Sequence, residues 1–208
     1  IAIKIILHLL ILFLGYLFGS FPSGYLAGRI AKGIDIRSLG SGSTGATNVL
    51  RHIGKRAAIT VFFIDVFKGV LSILLAKYFL LNDSWQVAIG LSTLIGHIWP
   101  IWLNWKGGKA VATGLGIFLG ISWQAGVATL GIFILIITLF RIVSLASVSA
   151  SLALPLIMFL SFRNSNISLP FIIISLLAMT LVIWRHRENI VRLIKGTEPK
   201  IGKNYKFK

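Results

Sequence analysis

Six apolar segments of membrane-helix length dominate this chain and leave little room for any other architecture. They run from Ile3 to Phe21, Ala57 to Leu81, Trp85 to Leu103, Val111 to Phe140, Val143 to Phe162 and Leu169 to Trp184. A bilayer core needs roughly 20 apolar residues per helix, within about 17–25, and five of the segments read as single helices, the last of them one residue short of that range. Composition agrees: 56% of the 208 residues are hydrophobic and only 12% charged, with a mean hydropathy of +0.90. The expected fold is an all-α polytopic membrane protein, with residues 1–208 forming a single integral membrane domain. The run Ile5–Phe18 has the length of a signal-peptide core, but no small-residue cleavage site follows it, so it reads as a retained first span.

Val111–Phe140, at 30 residues, is too long for one span and short for two. Charge decides how it folds. Residues 29–56 hold six Lys/Arg and the tail from Arg185 holds eight; both belong on the cytoplasmic side, where Lys and Arg accumulate. With the N-terminus outside, a single crossing by Val111–Phe140 would strand the basic tail outside. A turn near Gly120–Gln124 returns it to the inside. The expectation is therefore about seven transmembrane helices, one of them short or half-spanning, with the N-terminus outside and the C-terminus cytoplasmic. Irregular or short elements at membrane depth are tolerated only where protein or a cavity surrounds them.

The net charge of +16 comes from 21 Lys and Arg against five acids. Much of it is explained by membrane topology and attraction to anionic lipid; a site for a polyanionic substrate is the sharper alternative. Nucleic acid is excluded as a partner, because the basic residues sit in short loops between spans and form no continuous soluble face. The absence of cysteine excludes disulfides, thiolate metal sites and a Cys nucleophile.

Polar residues gather in a few loops. Gly40-Ser41-Gly42-Ser43-Thr44-Gly45-Ala46-Thr47-Asn48, with Arg51 behind it, spells G-x-G-x-x-G. No strand precedes it, so a dinucleotide fingerprint is rejected, and Ala46 stands where a Walker Lys would be. Glycines allow main-chain N–H groups to converge on an anion, the helix expected from Thr47 points its positive end there, and Arg51 offers a bidentate fork. The competing reading is a flexible loop with capping residues. Lys106-Gly107-Gly108-Lys109, before another helix start, looks like a second anion cradle or a topogenic turn. His97 near the interface reads first as a structural residue. Asp65 and Lys68 share a face inside the second segment, as an internal salt bridge or a support for the cytoplasmic site. His186 and Asn189, three apart, are placed to converge on one ligand, and Ser144 and Ser147 share a face likewise, although a back-bond to its own helix is the simpler reading for either serine alone.

Taken in order, these segments resemble the bacterial acyl-phosphate:glycerol-3-phosphate acyltransferase family, PlsY. The likeness is carried by Gly19-Ser20-x-Pro22-x-Gly24-Tyr25, the Gly40–Val49 loop, Gly96-His97-x-x-Pro100, Lys106-Gly107-Gly108-Lys109-x-Val111-Ala112-Thr113, Val143–Ser147 and Arg185-His186-Arg187-Glu188-Asn189. Two departures are Ser43, where the family usually has Asn, and Ala110, where it usually has Gly; the alanine suggests a backbone not obliged to be left-handed.

The resemblance implies transfer of a fatty acyl group from acyl phosphate to the 1-hydroxyl of sn-glycerol-3-phosphate, giving lysophosphatidic acid and phosphate, the first acylation of bacterial phospholipid synthesis. It implies Ser41, Arg51, Lys109, His186 and Asn189 as the catalytic set, with Thr47, Asn48 and Ser147 binding substrate. Gly40, Gly42, Gly45, Lys106, Gly107 and Gly108 complete the substrate-binding set as the two loops. No metal and no cofactor are expected. The partners are acyl phosphate, sn-glycerol-3-phosphate and membrane lipid, with a contact to the enzyme that supplies acyl phosphate as a further expectation. The location is the bacterial inner membrane, multi-pass, with the active site facing the cytoplasm. The rival classes are a transporter for an organic phosphate, which predicts matched repeats that are not apparent here, and a non-catalytic scaffold, which has no need of two Gly/Lys loops.

Overall fold

The computed structural model describes residues 2–164 and 167–202. Lys203, Lys206 and Lys208, which contribute to the charge of the tail, lie outside the described residues. The chain divides into two compact units, the first ending at Ile121 and the second beginning at Ser122.

The first unit contains α1 (Ala2–Ser20), α2 (Ser23–Lys32), α3 (Ala46–His52), α4 (Lys55–Tyr78), α5 (Asp83–Ile98) and α6 (Val111–Ile121). α1 packs on α5 and α4 on α6. Both contacts are close because glycine removes the side chain at the crossing. A Cβ on Gly19 would overlap the main chain at Thr93, and one on Gly96 would overlap that at Tyr16. Gly69 and Gly116 play the same reciprocal part between α4 and α6. A cluster of Ile11, Ala76, Leu81 and Ile89 fills one end, and Ile36, Val49, Ala58 and Val61 form another under the first polar loop.

The second unit contains α7 (Trp123–Phe140), α8 (Val143–Arg163), α9 (Leu169–Arg185) and α10 (Arg187–Ile194). α8 packs against both α7 and α9. α9 does not run straight on beyond the last span: it bends by 62° at His186 into the amphipathic α10.

Among the described residues, five helical stretches are long and apolar enough to cross a membrane, or six if α9 and α10 are taken together. The break inside the 30-residue segment falls at Ser122, within the expected Gly120–Gln124 interval. There Ser122 caps α7 by accepting a hydrogen bond from the Ala125 N–H. α6 has only 11 residues, about 16 Å at 1.5 Å per residue, too short for a core of about 30 Å. Two of its last four carbonyls, which no helix can satisfy internally, are met by Lys77: the ammonium donates to Gly120 O at 2.7 Å and to Ile121 O at 3.3 Å.

Candidate active site

In the first loop, Gly40 and Gly42 adopt φ of +57° and +64°, a region open to glycine at little cost. Asn48 knits the loop together. Its Nδ2 donates to Ile36 O and Leu39 O, each at 3.0 Å, and to Ser43 O at 2.9 Å, while Oδ1 accepts from the Ser41 N–H at 3.4 Å. The side chain is 2% exposed. Both its amide hydrogens meet loop carbonyls, so the side chain supports the shape of the loop. Three main-chain donors of the loop have partners within it. Gly42 N–H bonds Leu39 O, Gly45 N–H bonds Ser43 Oγ, and Ser41 N–H bonds Asn48. α3 begins at Ala46, one residue before the expected start, and spans only seven residues. Thr47 and Arg51, four apart, lie on one face of it. A Cβ on Gly24 of α2 would overlap the Thr44 carbonyl, which presses α2 against this loop.

The second loop is held under strain. Asn104, Trp105 and Ala110 are left-handed, with φ of +51°, +63° and +62°, each at a cost of order 1–3 kcal/mol for a residue with a side chain. Ala110 therefore corrects the sequence reading: the alanine keeps the glycine-type conformation. Gly107 N–H donates to Ile98 O and Gly108 N–H to His97 O, both at 3.0 Å. In this arrangement both amides are directed at carbonyls of the preceding segment. The cationic side chains of the loop are Lys106, exposed, and Lys109, half-buried.

Beneath this loop lies a buried polar cluster. Asp65 Oδ1 accepts from Ser23 Oγ at 2.7 Å and pairs with Lys68 Nζ at 2.8 Å. His97 Nδ1 lies 3.8 Å from the same oxygen and 3.2 Å from Thr113 Oγ1. The expected Asp65–Lys68 ion pair is present, with Lys68 also reaching Phe21 O at 3.3 Å. Arg37 links the approaches to the two loops. It forms a forked pair with Asp35, donates to Leu103 O at 2.7 Å, and stacks over the Tyr25 ring. The hydrogen bond from Arg37 holds the Asp35 carboxyl below its ordinary pKa, outweighing partial burial.

In the second unit the polar centre is Glu198, 4% exposed. Its Oε1 accepts from Ser144 Oγ at 2.8 Å and Asn189 Nδ2 at 2.6 Å, and its Oε2 from Arg192 Nε at 2.7 Å. Burial alone would raise its pKa; the three hydrogen bonds, from Asn189, Ser144 and Arg192, prevail and hold it below the ordinary value. Glu198 belongs to none of the segments singled out in the sequence. Its partners lie up to 54 residues away, and no local pattern announces them. Ser147 Oγ donates to Val143 O at 2.9 Å, the back-bond that the simpler reading anticipates. His186 Nδ1 lies 2.8 Å from Val182 O. A carbonyl only accepts, so Nδ1 carries a proton. His186 stands at the bend, not within one helix shared with Asn189. Among the described residues, no group of three or more acids or histidines is placed to hold a metal.

Membrane-length helices joined by basic, glycine-rich loops, with buried polar clusters beneath the loops, define a polytopic helical membrane protein. The glycerol-3-phosphate acyltransferase family model matches residues 9–196. Glycerol-3-phosphate acyltransferase of Prochlorococcus marinus strain NATL2A is 88% identical over 196 residues, 94% of this chain and 99% of that protein. The protein of the same name from Prochlorococcus marinus strain MIT 9211 is 59% identical over 200 residues, 96% of this chain and 97% of that protein. The crystal structure of PlsY (YgiH), an integral membrane glycerol 3-phosphate acyltransferase, in its glycerol 3-phosphate form, superposes with a TM-score of 0.85 at 35% identity, covering 94% of this chain and 96% of that one. Its lysophosphatidic acid form gives the same TM-score, with 95% of that chain covered. The chain belongs to the glycerol-3-phosphate acyltransferase family that includes PlsY.

Proposed function

We propose that this protein acylates the 1-hydroxyl of sn-glycerol-3-phosphate, using acyl phosphate as donor and releasing lysophosphatidic acid and inorganic phosphate, the first acylation of phospholipid synthesis. The observation that carries the reading is the likeness over nearly the whole chain to PlsY in its glycerol 3-phosphate and lysophosphatidic acid forms. Both substrates and both products carry phosphate, which suits a protein whose loops present Arg51, Lys106 and Lys109.

Acyl phosphate is an activated mixed anhydride, so direct attack by the glycerol hydroxyl requires no covalent enzyme intermediate. Lys109, with the Ser41 hydroxyl of the first loop, holds the donor and stabilises the charge that develops as its phosphate leaves. Arg51, His186 and Asn189 hold glycerol-3-phosphate for in-line attack. Asn48 and Glu198 act through their neighbours, the first on the Gly40–Gly45 loop and the second on Asn189. The hydroxyl proton passes to a substrate phosphate oxygen, with His186 Nε2 as the alternative acceptor. The topology that fits is seven helical elements with α6 a half-span, the N-terminus outside and the loops on the cytoplasmic side of the bacterial inner membrane, where the enzyme supplying acyl phosphate has access.

Purified protein given acyl phosphate and glycerol-3-phosphate, without coenzyme A, should form lysophosphatidic acid. Robust turnover with acyl-CoA and none with acyl phosphate would overturn the choice of donor.

A further inference from the structure

Three left-handed non-glycine residues bracket Lys106–Lys109, and a backbone of that kind persists only where its surroundings over-determine it. Much of what surrounds it is His97. The His97 carbonyl accepts the Gly108 N–H, and the next carbonyl, that of Ile98, accepts the Gly107 N–H. The Gly108 main chain lies directly on the His97 ring, so that a Cβ at Gly108 would overlap Nε2, and one at Gly107 would overlap the His97 carbonyl. The ring in turn is set by its other edge, where Nδ1 meets Thr113 Oγ1 and faces Asp65 Oδ1. Asp65 is 1% and Thr113 0% exposed. The carboxylate is itself fixed by Ser23 and Lys68.

We infer that Asp65, His97 and Thr113 form a positioning relay whose task is to hold the Lys106–Lys109 loop in its strained shape, so that Lys109 is placed for the phosphate of acyl phosphate before the substrate arrives. None of the three touches substrate. The relay gives the buried Asp65–Lys68 pair a use that ion pairing alone does not, since Lys68 leaves Asp65 Oδ1 still shared with Ser23 and facing His97. The inference rests on the acyl-phosphate reading for the role of Lys109, and on the geometry alone for the order of the loop.

The two parts are tested together with Thr113→Val, which removes the hydroxyl at nearly constant volume, Thr113→Ser, which restores it, and His97→Asn, which keeps a donor near Nδ1 but removes the ring beneath Gly108. Asp65→Asn is informative only where it folds, because it leaves Lys68 without a counter-charge. In detergent, trypsin should cut after Lys106 and Lys109 at least about tenfold faster in Thr113→Val and His97→Asn than in wild type or Thr113→Ser. In the same variants KM for acyl phosphate should rise about tenfold and kcat should fall with it, because Lys109 also acts on the charge that develops in the transition state, while KM for glycerol-3-phosphate stays unchanged. Wild-type cleavage rates with unchanged KM would overturn the relay, as would a fall in kcat alone with the loop still resistant. A wild-type protein inactive with acyl phosphate would instead overturn the donor assignment, and the cleavage rates would then decide the loop by themselves.

Discussion

Glu198→Gln preserves shape and removes one charge, which makes it a sharp probe of the second unit. In the wild type both carboxylate oxygens are acceptors, meeting donors from Ser144, Asn189 and Arg192. The glutamine retains one oxygen and sets an NH2 group against at least one of these donors. A hydrogen bond to a charged group contributes about 1.5–3 kcal/mol, and Arg192, 37% exposed, keeps access to water when its partner is neutralised. The three contacts form one network and do not add, so the expected loss is about 1.5–3 kcal/mol. At about 2–4 °C per kcal/mol for a chain of this size, the unfolding midpoint should fall by about 3–12 °C, read in detergent by tryptophan fluorescence. The pH dependence has a definite sign. Because Glu198 is held below its ordinary 4.5 in the folded protein, its contribution is complete above that value and is lost as pH falls through the depressed one. Wild type should therefore lose stability on acidification below about pH 4.5, and the variant should lack that component. A midpoint shift under about 2 °C, or identical acid profiles, would refute the assignment of Glu198 as the keystone of α8 and α10.

Lys109→Ala and Arg51→Ala should each lower turnover about ten- to a thousandfold, since a charge-assisted contact contributes about 1.5–3 kcal/mol and more in the transition state; full activity in both would make these residues topogenic charges only. Asn48→Ala should destabilise by about 1–3 kcal/mol, because it strips the carbonyls of Ile36, Leu39 and Ser43 of one donor, and activity measured well below the unfolding midpoint should fall as well. In His186→Asn, a substrate phosphate acting as proton acceptor predicts weaker glycerol-3-phosphate binding with the acidic limb of the rate profile retained, as phosphate itself titrates near pH 6. Loss of about 100- to 10,000-fold in turnover with the limb gone would name His186 the base. Cysteines at Ser43 and Lys203 should label from the cytoplasm and one at Asp83 from outside; labelling of Lys203 from outside would refute the seven-element topology.

The helices were legible because the bilayer turns length and hydropathy into a one-dimensional signal. The stop at Ser122 followed from charge balance between loops, also a property of the chain read in order. The loops were legible as loops, from Gly40, Gly42 and Gly107, but not in their hydrogen bonding. Whether the Gly108 N–H faces a ligand or the His97 carbonyl depends on a neighbour eleven residues away, and the left-handed Ala110 contradicts its own preference because its surroundings override it. The bend at His186 lies within an otherwise helical pattern, with neither glycine nor proline to mark it. Glu198 and the Ser23–Asp65 contact join positions 54 and 42 residues from their partners, distances at which periodicity carries no information.

The 11 residues of α6 bear on how the protein is made as well as on how it stands. A segment of that length emerging during synthesis carries too little apolar surface to be retained by lipid alone. Everything that receives it has by then already been translated: the glycine at 69, against which α6 seats its own glycine at 116, and the Lys77 ammonium that closes its last turn. Insertion of α6 is therefore expected to depend on docking onto earlier protein more than on partitioning into the bilayer. A defect at Gly69 or Lys77 would surface first as a biogenesis failure, with the short helix left out of the membrane and every later segment at risk of entering with the wrong orientation.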